Sequence, residues 1–163
     1  MRHLLRPAVF FASFVIVLAY AQAAGEDLIH KSLVRIQTVS QNPDYTSPWN
    51  AGPIEQGIGA GFVISKDRIL TNAHVVSNAR MIWVTREGDP NRYTASVEYI
   101  AHDSDLALLK VANASFFKTM QPLELNGLPA IESTVLVYGY PIGGDHPSVT
   151  RGIVSRIDFE DYS

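Results

Sequence analysis

The amino-acid sequence predicts an all-β fold, and three observations support this prediction. Short runs rich in β-branched and aromatic residues recur along most of the chain, turn-forming residues separate them, and no long segment repeats its apolar residues at helical spacing. The runs expected to form strands are residues 33–40, 59–65, 68–73, 81–86, 93–101, 106–112, 134–140 and 150–158.

Two segments between these strands are expected to be connections. Residues 41–56 are rich in Pro, Asn, Gly and Ser, and Pro43, Pro48 and Pro53 each lack the backbone N–H that a central strand needs. We therefore expect a surface loop there. Residues 115–129 have weaker strand signals and contain two prolines, which suits a connection between two β subdomains.

The first two strands after the proline-rich loop are expected to form a hairpin. Lys66 and Asp67 are a polar pair between the runs at 59–65 and 68–73, and a short polar turn between two apolar runs is typical of antiparallel strands. This hairpin would place His74 at the end of a strand.

The N-terminus has the pattern of a secretory signal peptide. Arg2 and Arg6 give a positive start, residues 8–21 are uncharged and mostly apolar, and an Ala-Gln-Ala motif ends at Ala23. The alternative is an uncleaved membrane anchor, but an apolar run of about 14 residues is shorter than the roughly 20 that a membrane-spanning helix needs. We expect cleavage of residues 1–23 and a periplasmic or secreted protein without stable membrane insertion.

The composition of residues 24–163, the part expected to be exported, limits the reactions and ligands that this chain can support. Removal of residues 1–23 leaves 140 residues, enough for one domain, with 11 basic against 16 acidic side chains. A net charge of about −5 without a basic cluster disfavours nucleic-acid binding. The chain has no cysteine, which excludes disulfides, thiol catalysis and cysteine-based zinc sites.

A histidine and a carboxylate beside apolar runs form the strongest candidate site. His74 lies in ILTNAHVV, and Asp105 directly precedes LALLK. A histidine that acts as a general base needs one ring nitrogen bound to a carboxylate and the other facing a nucleophile. LALLK is apolar on both faces, so we expect it to be buried and the Asp105 carboxylate to be partly desolvated. Asp103 is the alternative acid, which we expect to be solvated in the preceding loop.

Taken alone, each residue also has a structural interpretation. A histidine near a strand end is more often a satisfied structural residue than a catalyst, and an aspartate before a strand is usually a turn residue. A catalytic role for His74 and Asp105 therefore needs support from the flanking sequence.

Other candidate sites have weaker patterns. His30, His102 and His146 lack metal-ligand spacing, so no metal site is expected. The segment GYPIGG is rich in glycine but leads towards a strand, which disfavours phosphate binding. Asn113 begins an Asn-Ala-Ser sequence, which fits a glycosylation acceptor and matters only in a eukaryotic secretory pathway.

Five motifs, in this order and at these spacings, resemble the trypsin-like serine endopeptidases of the HtrA/Deg family: GAGFVIS, ILTNAHVV, DLALLKV, GYPIGG and VTRGIVSRI. The resemblance covers about residues 36–157, and it departs from the family at Ala60, where Ser is more common. By this resemblance, His74 corresponds to the general base and Asp105 to the carboxylate that orients it.

The resemblance also implies a fold and a function. It implies a trypsin-like double β-barrel in residues 24–163, with the first barrel at about 32–114 and the start of the second at about 130–163. The implied activity is endoproteolysis of exported, unfolded polypeptides in protein quality control, without a cofactor, and it is compatible with a homo-oligomer. A non-catalytic pseudo-protease or binding module is the alternative.

The catalytic serine of the family has no counterpart in this sequence. Family members carry it in a GNSGGP-like segment about 75 residues after the aspartate, in the chain order His, Asp, Ser. Only 58 residues follow Asp105, and no Gly-x-Ser-Gly sequence occurs. Ser163 has no following backbone to form an oxyanion hole. We therefore expect a fragment whose second barrel is truncated and which is inactive on its own.

Overall fold

The computed structural model describes residues 27–141 and 144–158, and in these residues six strands close into a barrel while two more form a separate sheet. The barrel strands are β1 (Leu33–Gln41), β2 (Ile54–Val63), β3 (Arg68–Thr71), β4 (Ala79–Arg86), β5 (Tyr93–Ala101) and β6 (Leu106–Val111). The separate sheet contains β7 (Thr134–Gly139) and β8 (Ser148–Ile153). The predicted all-β fold is confirmed.

Helical structure is confined to short segments within the described ranges. Residues 27–32 are helical and precede β1. Helix α1 (Ala73–Val76) follows β3, and a 3₁₀ helix (Ala114–Thr119) follows β6.

The barrel is closed by antiparallel pairing in the order β1-β2-β3-β6-β5-β4, with β4 returning to β1. Ile36 in the middle of β1 lies opposite Gly59 of β2 and Val84 of β4. Closure leaves these six strands without a free edge, which removes the unpaired backbone groups that promote aggregation.

Alternating side chains explain how the barrel fills its interior. Along β1, Val34, Ile36 and Thr38 are buried, whereas Arg35 and Gln37 between them are only partly buried. Successive side chains of a strand point to opposite faces, so one apolar set lies in the core. Each fully buried aliphatic side chain contributes about 1.5–3 kcal/mol. The largest fully buried side chains are Phe116, Ile36, Ile69, Leu109, Val34, Val63 and Val84.

The 3₁₀ helix contributes Phe116 to this core. The Asn113 side chain caps the helix by accepting a hydrogen bond from the backbone N–H of Ser115. Arg86 on β4 donates to the Phe116 carbonyl at 2.5 Å, and the Tyr93 and Phe116 rings meet edge to face with centroids 5.0 Å apart. The connection predicted at 115–129 therefore begins as an anchored turn rather than an open loop.

The second sheet is a hairpin that contacts the barrel through a few side chains. Arg35 on β1 donates from Nη1 to Oδ1 of Asp145 at 2.7 Å. The His30 and Tyr138 rings meet edge to face with centroids 6.0 Å apart, and Tyr140 is buried. Most side chains of β8 are exposed, so these contacts position the hairpin.

Several element boundaries differ from the predictions, and three of these differences have a clear structural reason or consequence. Strand β2 begins at Ile54, inside the loop predicted at 41–56, because its first residues pair with the end of β1 outside the core and carry no apolar pattern. Ala73 belongs to α1 and not to a strand. Strand β8 ends at Ile153, opposite the first residue of β7. Val154 still bonds through its backbone to Glu132 and Ser133, and residues 155–158 form no strand.

The expectation that LALLK is buried on both faces is wrong. In β6, Ala107, Leu109 and Val111 are buried, but Leu106 and Lys110 are exposed. This strand has one face in the barrel interior and the other towards solvent, as antiparallel sheets commonly do.

Candidate active site

His74 lies in the first turn of α1, immediately after β3. Ala73 and Val76 are buried, and because they are three positions apart they fix the inner face of this short helix. His74 points away from that face, and its side chain is 70% exposed. The sequence placed His74 at a strand end, and the structure places it one helical turn beyond that end.

Asp105 directly precedes β6, in a left-handed backbone conformation with φ of 50°. Asp and Asn tolerate this region better than other non-glycine residues. Strands β3 and β6 are neighbours, and Thr71 lies opposite Ala107. Because Asp105 precedes Ala107 by two residues and His74 follows Thr71 by three, the two side chains meet at the same end of the strand pair.

Two hydrogen bonds join Asp105 to His74. The ring Nδ1 lies 2.7 Å from Oδ2, and the backbone N of His74 donates to Oδ1 at 2.9 Å. An ionised carboxylate only accepts, so Nδ1 carries the proton in this pair and Nε2 of the neutral ring has a free lone pair. The contact with Asp105 therefore leaves Nε2 of His74 as a basic nitrogen on an exposed side chain.

These contacts hold the pKa of the Asp105 carboxyl below its usual value. The backbone N–H of His74 is the main cause and the imidazole the next, while partial burial acts in the opposite direction. The Asp105 side chain is 45% exposed. Hydrogen bonding therefore outweighs partial desolvation and favours the ionised form of this carboxylate.

Asp103 lies apart from this pair. Its carboxylate accepts a hydrogen bond from the backbone N–H of Ser104 at 3.0 Å, and the residue is exposed. The structure brings Asp105, and not Asp103, to His74.

Comparison with known proteins identifies the family. A model of the trypsin-like peptidase domain matches residues 59–163. The chain is 38% identical over 160 residues to the putative chloroplastic protease Do-like 6 of Arabidopsis thaliana, covering 98% of this chain and 73% of that relative. The chain belongs to the HtrA/Deg family of trypsin-like proteases.

Other relatives of this HtrA/Deg chain are much longer. It is 42% identical over 137 residues to the mitochondrial protease Do-like 4 of Arabidopsis thaliana, covering 84% of this chain and 26% of the relative. The chain spans 24% of the putative mitochondrial protease Do-like 3 of the same plant. It thus corresponds to about a quarter of the length of these relatives. Their names place them in mitochondria, and that of Do-like 6 in chloroplasts.

Solved structures confirm the trypsin-like fold of the HtrA/Deg chain. The Rv3671c protease from M. tuberculosis in its active form superposes with a TM-score of 0.60 at 28% identity, covering 77% of this chain and 48% of that one. The HtrA-type protease AlgW with a tripeptide gives a TM-score of 0.62 at 21% identity, with coverage of 80% and 38%. The second likeness concerns the fold alone.

Sequence reasoning missed Asn72 in this HtrA/Deg site. Its Nδ2 donates to the Asp105 carbonyl at 3.1 Å and lies 3.2 Å from Oδ2 of the same residue. The available signal was a polar amide inside the apolar run ILTNAHVV, two residues before the histidine.

The other histidines in the described ranges are not hydrogen bonded to His74. His30 Nδ1 is 2.7 Å from Oε2 of Glu87, His146 Nδ1 is 3.9 Å from Oε1 of the same carboxylate, and His102 is exposed. Within residues 27–141 and 144–158, no group of three or more His, Asp or Glu side chains is arranged to hold a metal ion.

Several predicted features fall outside the described residues. These are the predicted signal peptide at 1–23, Ser163, and residues 142–143 of GYPIGG. In the part that is described, no serine hydroxyl is hydrogen bonded to Nε2 of His74, and no helix is long and apolar enough to cross a membrane.

Proposed function

We propose that this chain carries the general base and the orienting carboxylate of a serine endopeptidase, His74 and Asp105. The observation that supports this role is the 2.7 Å contact between His74 Nδ1 and Asp105 Oδ2, which leaves the exposed Nε2 free to accept a proton. Membership of a family of proteases supports the same reaction class.

In the proposed reaction, Nε2 of His74 accepts the proton of a serine hydroxyl as that oxygen attacks a peptide carbonyl carbon. The resulting imidazolium then gives the proton to the leaving amine. Asp105 keeps the proton on Nδ1 and stabilises the imidazolium without itself becoming protonated. We assign the serine to a family-type GNSGGP segment, which is absent from the 163 residues. No step requires a metal or a cofactor.

The proposed substrates are unfolded polypeptides in an exported compartment. This proposal rests on the signal-like residues 1–23 and on the family resemblance, and the low basic content argues against nucleic acid as a partner. In an exporting host, intact mass should show a chain that begins at Ala24. Retention of residues 1–23 on most molecules would contradict the proposed cleavage.

The role of the pair can be tested in a chimera. The segment of protease Do-like 4 that follows its matched region would be joined after Ser163. We expect this chimera to hydrolyse unfolded casein and to react with a fluorophosphonate probe, and we expect His74→Ala to abolish both, because the serine then has no base. His146→Ala, at a histidine whose side chain is 88% exposed and whose ring lies beside Glu87, is the matched control.

A non-catalytic binding module is the alternative function. It is favoured by the observation that no serine hydroxyl in residues 27–141 or 144–158 is hydrogen bonded to His74 Nε2. A chimera that folds and binds unfolded casein but never hydrolyses it would support this alternative. Probe labelling of the 163-residue chain that disappears on His74→Ala would instead show that the chain already contains an activated serine.

A further inference from the structure

We propose that Asn72 is a positioning residue for the His74–Asp105 pair, with its side-chain amide fixing both the backbone and the carboxylate of Asp105. This inference rests on the proposed function, since it assigns a role within that site. It concerns a side chain 33 positions away from the residue that it holds.

The hydrogen-bond pattern at Asp105 is the first support. All three of its oxygens accept bonds from three consecutive residues, 72–74. The carbonyl accepts from Ala73 N at 3.1 Å and from Asn72 Nδ2 at 3.1 Å. Oδ1 accepts from His74 N, and Oδ2 accepts from His74 Nδ1 and from Asn72 Nδ2. Besides the histidine ring, Asn72 supplies the only side-chain donor in this set.

The chemistry of the neighbours fixes the orientation of the Asn72 amide. The groups within reach at Asp105 are a carbonyl and a carboxylate oxygen, both acceptors, so the amide must present its NH₂ group and not its oxygen. One nitrogen with two N–H bonds can serve both acceptors. An aspartate at this position would place a second carboxylate against them.

Helix capping does not account for the Asn72 side chain. Asn72 occupies the N-cap position of α1, where Asn is favoured because its side-chain oxygen can accept from the first turn. Here the side chain makes no such capping bond. Its amide is directed to Asp105, so the two possible roles of this residue can be separated by mutation.

Asp105 also needs an external restraint. Its φ of 50° lies in the left-handed region, which costs an aspartate less than most residues but is still stabilised by hydrogen bonds from its surroundings. Its side chain is about half exposed, so water can compete for the carboxylate oxygens. Loss of the Asn72 amide would leave the carboxylate held by His74 alone, would remove one restraint on the Asp105 carbonyl, and would let the carboxylate leave the imidazole more often.

The test uses carbon-13 and proton NMR of the full 163-residue chain, which needs no peptidase activity. In Asn72→Ala, we expect the pKa of the Asp105 carboxyl to rise and the His74 Nδ1–H resonance to broaden through faster exchange with water. Asn72→Asp should raise that pKa further, because a second carboxylate disfavours ionisation. Asn91→Ala is the matched control, since Asn91 Nδ2 donates to Asp89 at 2.8 Å away from the pair.

Asn72→Ser separates positioning from capping. Serine is as good an N-cap as asparagine, but its hydroxyl is one bond shorter and does not reach the Asp105 carboxylate. We expect Asn72→Ser to resemble Asn72→Ala in both NMR readouts. Recovery of the wild-type values by serine would show that capping is the role of Asn72 and would overturn the proposal. Unchanged NMR values in a folded Asn72→Ala variant would overturn it as well.

The Do-like 4 chimera adds a kinetic readout. We expect Asn72→Ala to lower kcat about 10-fold with KM nearly unchanged, the effect of one hydrogen bond to a charged group. An inactive wild-type chimera in which the NMR changes still occur would reject the proposed function and leave the positioning role intact. An active wild-type chimera whose kcat is unaffected by Asn72→Ala would reject the positioning role alone.

Discussion

Asp105 accepts two hydrogen bonds from a single residue, His74: one from the ring Nδ1 at 2.7 Å and one from the backbone N at 2.9 Å. The backbone bond fixes the carboxylate relative to α1, and the ring bond then fixes the imidazole relative to the carboxylate. The pair is therefore held at two points, although the His74 side chain is largely exposed and that of Asp105 is about half exposed.

This two-point contact predicts a strong effect of Asp105→Asn in the Do-like 4 chimera. The two His74 donors reach different oxygens of Asp105, and an asparagine replaces one of these oxygens by an NH₂ group, so one of the two bonds is lost. The ring then loses its preferred tautomer, and we expect kcat/KM to fall by roughly 10³–10⁴. Steady-state hydrolysis of a casein peptide measures this change.

Asp103→Asn is the control for this prediction. Within the described residues, its carboxylate accepts a hydrogen bond from the neighbouring Ser104 N–H and none from His74, so we expect kcat/KM to change by about twofold or less. Similar losses at Asp103 and Asp105 would contradict the assignment of the orienting acid.

His74 and Asp105 could be predicted as a pair from the sequence because local motifs carry them, ILTNAHVV and DLALLKV, and the structure brings their side chains together. The bonds that join them depend on the pairing of β3 with β6, and a strand pattern does not specify which strands are neighbours. The role of Asn72 was not predictable for the same reason. Both of its side-chain bonds go to a residue across that strand pair.

The differences between the predicted and the observed bounds of β2 and α1 have two physical causes. The first residues of β2 are exposed and pair only through the backbone, so their side chains carry no alternating pattern. Helix α1 is one turn long and contains Val75 and Val76, residues that favour strands. Tertiary contacts, such as the bond from Ala73 N to the Asp105 carbonyl, decide its conformation.

Asp89 should make the stability of the chain depend on acidic pH. Hydrogen bonds to its carboxylate, above all from the backbone N–H of Asn91 and also from Tyr93 and Arg86, lower its pKa to about 2. A lowered pKa in the folded state stabilises the fold above the unfolded value near 4, and this stabilisation is lost as the pH falls from about 4 to about 2. We expect Asp89→Asn to lower the urea midpoint at pH 7.

The difference between the wild-type and Asp89→Asn midpoints should shrink as the pH approaches 2. Urea titrations followed by circular dichroism at several pH values measure this trend. Asp103→Asn, at an exposed carboxylate, is expected to change the midpoint little throughout. A constant difference between Asp89→Asn and wild type from pH 7 to pH 2 would argue against an ionised Asp89 as the source of the stabilisation.

Tyr140 should make the stability of the chain depend on alkaline pH. Burial raises the pKa of its phenol to about 12, compared with about 10 in the unfolded chain. The folded state therefore holds this proton longer, so stability falls as the pH rises from about 10 to about 12. Tyr140→Phe removes the group, and we expect its stability to decline less over this interval in urea titrations. Tyr45→Phe, at a side chain that is 86% exposed, should behave like wild type.

A side chain at Gly61 should destabilise the fold, because Gly61 lies in a tightly packed part of the barrel wall. A Cβ there would lie 2.9 Å from the Ile36 Cδ1, from the Ile69 Cγ2 and from the Leu70 carbonyl oxygen, and a backbone oxygen in a paired strand cannot move aside. We expect Gly61→Ala to lower the free energy of unfolding by about 1–3 kcal/mol, the usual cost of overpacking. Gly152→Ala is the matched control, since Gly152 also lies in a strand but a Cβ there meets no atom within 4 Å. Urea unfolding should show a midpoint below that of wild type for Gly61→Ala and an unchanged or slightly higher midpoint for Gly152→Ala. A Gly61→Ala midpoint equal to that of wild type would mean that the barrel wall relaxes around the added methyl group.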